Sequence, residues 1–419
     1  MNKIAEGYKQ TEVGIIPRDW EVKLGSDLSE KITKGASPRW QGFSYQDYGV
    51  LFVTSENVRD GWLDITEPKY LPFSFSEKQR NSQLNNGDIL INIVGASIGR
   101  ACIFNLDIPA NINQAVCLFR PTAKTNRSYL FHFFQSPSTI KKLIGSQVES
   151  ARPNLSLTDI RFFKIVIPPK AEQNAIATAL NDADALITQL EKLIAKKRNI
   201  KQGAMQELLK PKEGWEVKKL GDVFRFLNTA NNARADLLES GEVEYIHYGD
   251  IHTRWNCFLD CSKNELPFID KGKITGVPLL ENGDLVIADA SEDYEGLGAC
   301  IEINNIGKRK IIAGLHTLLL RGNKNILADG FKGNLRNYKG VKDALIRVST
   351  GVSVFGISKT NLKEIEISIP STIEEQTRIA QILSNMDAEI EALEKKLEKY
   401  KMIKQGMMQE LLTGKTRFV

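Results

Sequence analysis

The 419-residue chain lacks most of what membrane proteins, secreted proteins and enzymes are built on. No apolar stretch approaches the roughly 18 residues that cross a bilayer. Met1 to Lys9 carries no apolar signal-peptide core either, so a cytoplasmic protein with no membrane partner is expected. The five cysteines, Cys102, Cys117, Cys257, Cys261 and Cys300, form no Cys-x-x-Cys pair and no even-numbered disulfide framework. Cys257 and Cys261 stand four apart, as in the first half of a metal site, but no second pair with ligand spacing follows. Buried free thiols in a reducing compartment are expected. Charge of one sign is also scarce: 56 Lys and Arg against 51 Asp and Glu leave +5, compatible with nucleic acid without indicating it.

Catalytic machinery is missing in the same way. There is no Asn/Asp-Pro-Pro-Tyr/Phe motif of an adenine methyltransferase. Gly414-Lys415-Thr416 resembles the end of a P-loop, but Gln409 stands where the upstream glycine is required. Gly95-Ala96-Ser97-Ile98-Gly99 lacks the spacing of a dinucleotide fingerprint. No Asp…Glu-x-Lys cluster offers carboxylates to magnesium. The four histidines are scattered, with no Ser/His/Asp or Cys/His set. A non-catalytic chain without a catalytic, metal or cofactor site of its own is expected.

What is present is a duplication with a period of about 200 residues. Trp20-Glu21-Val22-Lys23-Leu24-Gly25 returns as Trp215-Glu216-Val217-Lys218-Lys219-Leu220-Gly221, and Asn86-Gly87-Asp88 as Asn282-Gly283-Asp284. Ala101-Cys102-Ile103 returns as Ala299-Cys300-Ile301. The ten residues from Ile200 to Leu209 return from Ile403 to Leu412 with one change, Ala204 to Met407. Between these echoes the halves diverge. Pro38-Arg39-Trp40 and Arg152-Pro153-Asn154 have no partner in the second half, nor His247-Tyr248-Gly249-Asp250-Ile251-His252 in the first.

Each half closes on a long helix. Ile176, Leu180, Ala183, Ile187, Leu190 and Ile194 are spaced alternately four and three apart. Ile379, Leu383, Met386, Ile390, Leu393, Leu397 and Tyr400 repeat the pattern, a 3.5-residue coiled-coil seam. One such stripe packs equally well on its own globular domain; two of equal length favour mutual pairing, antiparallel under a pseudo-two-fold relation. Pro168-Pro169 marks one helix start, and Ser371 with Glu374 reads as a capping box at the other. Ahead of the helices, strands are predicted at Ile89–Val94, Val116–Phe119 and Phe162–Ile167. Their counterparts are Leu285–Ala288, Leu315–Leu320 and Ile365–Ile369. The fold class is mixed α/β (α+β): a strand-rich domain 1–166, a helix 167–212, a second domain 213–368 and a second helix 369–419. The basic clusters Lys196-Lys197-Arg198 and Lys395-Lys396…Lys399…Lys401 read as solvated helix faces.

The frame resembles a known family. Gly7-Tyr8-Lys9-Gln10-Thr11-Glu12-Val13-Gly14-Ile15-Ile16-Pro17, followed by Asp19-Trp20-Glu21-Val22, looks like the opening of DNA-specificity subunits of type I restriction–modification systems. The Lys-Gln-Gly…Met-Gln-Glu-Leu-Leu endings, the terminal Leu412-Thr413-Gly414-Lys415-Thr416-Arg417 and the pairs Glu172-Gln173 and Glu375-Gln376 are similar to that family as well. The resemblance spans the whole chain and implies two target-recognition domains, each followed by a spacer helix, reading a bipartite DNA target. It also implies double-stranded DNA, two methyltransferase subunits and two restriction motor subunits as partners. S-adenosylmethionine would then belong to the methyltransferase, and ATP and magnesium to the restriction subunit.

Family membership does not say which bases are read. Candidate DNA contacts come from residue chemistry: Lys34, Ser37, Arg39, Trp40, Ser97, Arg100, Arg152 and Asn154 in the first domain. In the second they are Asn231, Asn232, Arg234, His252, Arg254, Ser291 and His316. Arginine and asparagine suit bidentate contacts to guanine and adenine, and small residues let backbone approach DNA. Two other readings are a coiled-coil scaffold that binds protein only and an inactive relative of such a subunit. A scaffold has no reason to keep its helices alike while its globular interiors diverge.

Overall fold

The computed structural model describes residues 4–145, 154–351 and 353–418. The chain divides into two units, Met1–Lys192 with Lys395–Val419, and Leu193–Glu394. Each unit therefore holds one strand-rich domain, the first part of the long helix that follows it, and the last part of the other long helix.

In the first unit the apolar run Ile89–Asn92, buried on both faces, is an inner strand of a four-stranded antiparallel sheet. The order across it is Ser29–Lys34, Val116–Pro121, Ile89–Asn92, Ala101–Ile103. In the second unit Phe224–Leu227, Thr317–Gly322, Leu285–Ala288 and Cys300–Asn304 take the same order. A fifth strand, Cys257–Asp260, adds parallel to the last of them. Beside each sheet lies a smaller one with a parallel pair: Val50–Val53 with Ala110–Ile112, and Val243–Ile246 with Ile311–Ala313.

Several strand edges differ from the sequence reading. Phe162 ends a short helix, Leu157–Phe162, so the strand begins at Lys164. Ile93 and Val94 lie beyond Asn92, and Leu315 and His316 precede a strand that starts at Thr317. Apolar character extends a run past the last ladder bond, and periodicity alone does not mark that point.

The repeated Asn-Gly-Asp turn has a structural task. Gly87 (φ +98°) and Gly283 (φ +86°) adopt backbone that side chains disfavour. The turn buries Asp88 and Asp284 to 1% exposure each. A buried carboxylate needs a partner. Asp88 accepts from Arg120 Nε and Nη2, both at 2.8 Å, and from the Asn85 amide at 2.7 Å. Asp284 repeats the set with Arg321 at 2.8 and 2.7 Å and the Glu281 amide at 2.8 Å.

A two-stranded ribbon brings the start and end of each domain to the root of a helix. Glu21–Leu24 pairs with Lys164–Ile167, and Trp215–Lys219 with Glu366–Pro370. There the repeated Glu-Gln dipeptides clamp helix to domain. Gln173 donates to the Pro168 carbonyl at 2.9 Å and accepts from the Asn126 amide at 2.8 Å. Gln376 donates to the Pro370 and Ile326 carbonyls at 3.0 and 2.8 Å and accepts from the Ala328 amide at 2.9 Å. Glu172 accepts from Trp20 Nε1 at 2.9 Å, and Glu375 from Trp215 Nε1 at 3.4 Å. Arg417 adds a second hold on Glu172, at 2.7 and 2.9 Å, and also pairs with Asp19.

The two long helices, Lys170–Leu208 and Ile373–Leu411, have 39 residues each, about 58 Å at 1.5 Å per residue. The second is capped one residue later than the sequence suggested. The Thr372 hydroxyl, not Ser371, accepts from the Glu375 amide at 3.2 Å. All thirteen seam positions are buried or half-buried. Ile176 and Leu180, like Ile379 and Leu383, join their own domain's core, so the first turns serve the domain.

Further along, the helices run antiparallel. In the first unit Lys404 pairs with Asp184 at 2.5 Å and Lys401 with Glu191 at 3.2 Å. In the second, Lys201 pairs with Asp387, Lys197 with Glu389 and Arg198 with Glu394. Asp184, Glu191, Arg198 and Lys201 recur as Asp387, Glu394, Lys401 and Lys404, a constant 203 residues on. Part of the basic clusters therefore stitches helix to helix. The cysteines are free thiols; Cys102, Cys117, Cys261 and Cys300 are buried and Cys257 is half-buried. Burial pushes the Cys102 and Cys300 thiols up to about 12.

His132 lies fully buried against the first helix. Its Nε2 is 2.9 Å from Asn181 Oδ1, and its Nδ1 makes no hydrogen bond. Burial drives its pKa down to about 4, and Lys404 adds to this, while the Asn181 bond and the Asp184 carboxylate oppose it. A depressed histidine favours the fold while it is neutral, and that contribution is lost as pH falls from about 6.5 toward 4. Urea denaturation of the wild-type chain is expected to show this loss across that window. His132→Asn is expected to flatten it.

Candidate nucleic-acid interface

Antiparallel order puts the loops after Lys34 and Asn92, and those before Ala101 and Val116, at one edge of the first sheet. Backbone bonds tie these loops together. The Gly35 amide donates to Asn113 O at 3.0 Å, the Ile93 amide to Ala115 O at 3.0 Å, and the Leu155 amide to Ile93 O at 2.9 Å. Gly35 is obligatory here, since a Cβ would sit 1.6 Å from the Ile112 carbonyl oxygen. Val94 bridges Asn154, which places Asn154 beside the 3₁₀ turn Gly95–Ser97.

Lys34, Ser97, Arg100 and Asn154 therefore share one edge. Lys34, Arg39 and Arg100 are exposed and hold no ion-pair partner among the described residues. Ser37 is half-buried in the loop that continues from Gly35. Arg39 and Trp40 follow on a 3₁₀ turn, Arg39–Gln41, where Trp40 is 88% exposed. Arg152 lies outside the described residues. Tyr48 at 78% exposure was not singled out, although the aromatic-rich run from Trp40 to Tyr48 carries that signal. Flat aromatic faces on an exposed loop suit stacking or wedge contacts with bases.

The second domain presents the corresponding edge through loops 228–236, 289–299 and 314–316. Tyr245 organises it: its hydroxyl donates to Asn232 O at 2.6 Å and accepts from the Leu315 amide at 2.7 Å. Asn231 is exposed and Asn232 half-buried. Arg234 donates to the buried Asp250 at 3.1 Å and lies 3.2 Å from His247 Nδ1. Burial and the Arg234 charge hold His247 below its ordinary pKa, so it stays neutral and accepts from the Gly249 amide at 3.1 Å. His252 Nε2 lies 2.9 Å from the Ala290 carbonyl.

His316 sits at φ +54°, a strained position for a residue with a Cβ. Its Nδ1 is 3.3 Å from Asp289, whose pKa burial raises against the pull of His316. Tyr248 lies between these rings, 5.3 Å from His316 and 6.3 Å from His252 by centroids. These rings and Asn256 line a cleft of about 860 Å³.

Two candidates are engaged within their own domain. Ser291 is 7% exposed in the wall of this cleft, and its hydroxyl accepts from the Asp293 amide at 3.3 Å. Arg254 covers the Trp255 ring at 5.0 Å and donates to Glu265 O at 3.2 Å. The sequence reading also passed over Tyr248 and Tyr294, the latter stacked on Phe355 at 4.2 Å. Tyr248 was legible as part of the private His247–His252 run; Tyr294 had no local signal.

Comparison with known proteins agrees with the duplicated frame. Residues 17–202 and 212–401 each match the family described as the type I restriction modification DNA specificity domain. A Methanocaldococcus jannaschii protein, provisionally named the MjaX specificity subunit of a type I restriction enzyme, is 26% identical, covering 98% of this chain and 97% of its own. The EcoKI specificity subunit of Escherichia coli is 21% identical over 92% of this chain and 85% of its own. Among solved structures, the specificity subunit from M. genitalium has TM-score 0.56 at 16% identity, covering 98% of this chain and 97% of that one. A chain from a study of type I complex assembly and conformational transition has TM-score 0.61 at 14% identity, covering 96% and 99%.

Urea denaturation separates two kinds of arginine at these edges. Arg234→Ala strips the buried Asp250 of its charge partner and is expected to lower stability by about 1–3 kcal/mol. Arg100→Ala is expected to leave the unfolding midpoint unchanged.

Proposed function

The chain belongs to the type I restriction–modification DNA specificity family and is a non-catalytic specificity subunit with two target-recognition domains; from that premise we propose how it reads DNA. Each domain presents its loop edge to one half of a bipartite, asymmetric target. The residues that read are side chains standing on that edge. Lys34 neutralises phosphate, and Arg39, Arg100 and Asn154 address base edges in the major groove. In the second domain Asn231, Asn232 and the Tyr248, His252 and His316 rings do the corresponding work. Arg234 both holds Asp250 and faces the DNA. The helices, about 58 Å long, act as the ruler that sets the unread gap between half-sites.

Chemistry belongs to partners. Two methyltransferase subunits bring S-adenosylmethionine and flip the target adenine, and two restriction subunits bring ATP and magnesium. The observation that carries this reading is the repetition of anchoring contacts around unlike loops. The Asp–Arg pairs, the Trp–Glu bonds and the glutamine clamps recur, whereas Pro38-Arg39-Trp40 has no partner in the second half and His247–His252 none in the first.

Base reading and phosphate neutralisation separate in binding measurements. Arg39→Ala is expected to cost about 1–3 kcal/mol and relax one target position, whereas Lys34→Ala lowers the salt slope by about one phosphate. The decisive experiment maps adenine methylation across the host genome with the gene intact and deleted. Loss of one split, asymmetric motif on deletion is expected. Survival of every methylated motif would overturn the reading.

A further inference from the structure

The duplicated frame is broken at the start of the first unit. The hairpin Tyr8–Thr11 and Gly14–Pro17 in the first unit has no counterpart in the second, where only five residues separate Leu209 from Trp215. In the first unit this hairpin covers the site where the end of one long helix meets the two-stranded ribbon. The Tyr8 hydroxyl donates to Gly414 O at 3.0 Å, and Glu12 pairs with Lys164 at 3.4 Å. Ile16 and Val13 pack into the core that contains Trp20, Met408 and Leu412. Beneath the hairpin Trp20 is fully buried, Val22 is half-buried, and a cleft of about 80 Å³ lies beside Ile16, Val166 and Leu412.

The second unit keeps the floor of this site and lacks its cover. Val217, the counterpart of Val22, is 64% exposed, and Trp215 is half-exposed. A groove of about 1010 Å³ opens there, lined by Met205, Leu209, Pro211, Val217, Tyr338 and Val341. The ribbon position occupied by Lys164 in the first unit carries Glu366 in the second. A second copy of this chain would bring Glu12 against Glu366, a like-charge contact that disfavours it. The groove fits an apolar hairpin carrying lysine or arginine where this chain has Glu12.

We propose that this open groove receives an apolar, basic hairpin or extended segment of the methyltransferase partner, which completes the second unit as residues 7–17 complete the first. The inference rests on the specificity-subunit reading above. It adds that the two methyltransferase copies meet unlike surfaces: one finds an open groove, the other a groove already filled by the chain itself.

The test uses the full chain and its purified methyltransferase subunit. Val217→Asp and Glu366→Lys, both at exposed positions, are expected to weaken association by about tenfold or more in sedimentation or calorimetry, as loss of a contact-centre residue does. Val217→Ile is expected to retain affinity. A photo-crosslinking residue in place of Val217 is expected to trap the methyltransferase in the assembled complex. Unchanged affinity for both charge variants, or crosslinking to a restriction subunit, to a second copy or to nothing, would overturn the proposal. A wild-type chain that neither binds a methyltransferase nor directs methylation would instead remove the specificity reading, and the groove assignment with it.

Discussion

The structure turns on the Glu-Gln dipeptide at the root of each long helix, buried at Glu172, Gln173 and Gln376 and half-buried at Glu375. A helix of this length gains little from intrinsic propensity unless it is docked. Docking by apolar contact alone would leave its angle to the domain soft. The glutamine removes that freedom because its amide satisfies backbone groups on both sides of the helix start, in Gln173 as in Gln376. The glutamate then holds the indole at the start of the ribbon. Buried amide and carboxylate groups are costly when unpaired, so the helix has one orientation in which all of them are met.

The same logic explains which parts of the chain were legible in advance. Contacts that recur in both halves leave a mark in one sequence, because the chain is compared with itself. The Asn-Gly-Asp turn, the Glu-Gln pair and the Trp-Glu-Val strand were visible as echoes. Their partners, Arg120, Arg321, Asn126 and Ala328, were not singled out, since they lie 30 to 50 residues away in sequence. The helix stripe was visible from its period. The ion pairs between the helices could have been found by noting that Asp184, Glu191, Arg198 and Lys201 recur with sign preserved.

The reading edges were less legible, for a physical reason. Arg39, Arg100, Arg234 and Arg254 are the same residue type, yet two stay in solvent, one neutralises Asp250 and one covers its own tryptophan. Residue chemistry defines what a side chain is able to read; only the fold decides whether it is spent on its own domain. Ser291, polar and in the short strand Ala290–Ser291, is buried for the same reason that Asp88 is: a neighbouring amide needs its oxygen. The tyrosines were overlooked because an aromatic in a strand-rich domain reads as core, whereas Tyr48 and Tyr294 face outward.

The end of the second long helix and the residues after it bear on biosynthesis. Leu411, Leu412 and Arg417 complete the core and the buried carboxylate site of the first unit. The second unit, by contrast, is continuous in sequence from Leu193 to Glu394. At roughly 5–20 residues per second, a ribosome needs on the order of ten seconds or more to travel from the end of the first segment to the residues that close it. The unit whose first segment is made earlier is thus closed later, and a nascent chain waits with Trp20 and Glu172 uncovered until Met408 to Arg417 have been made.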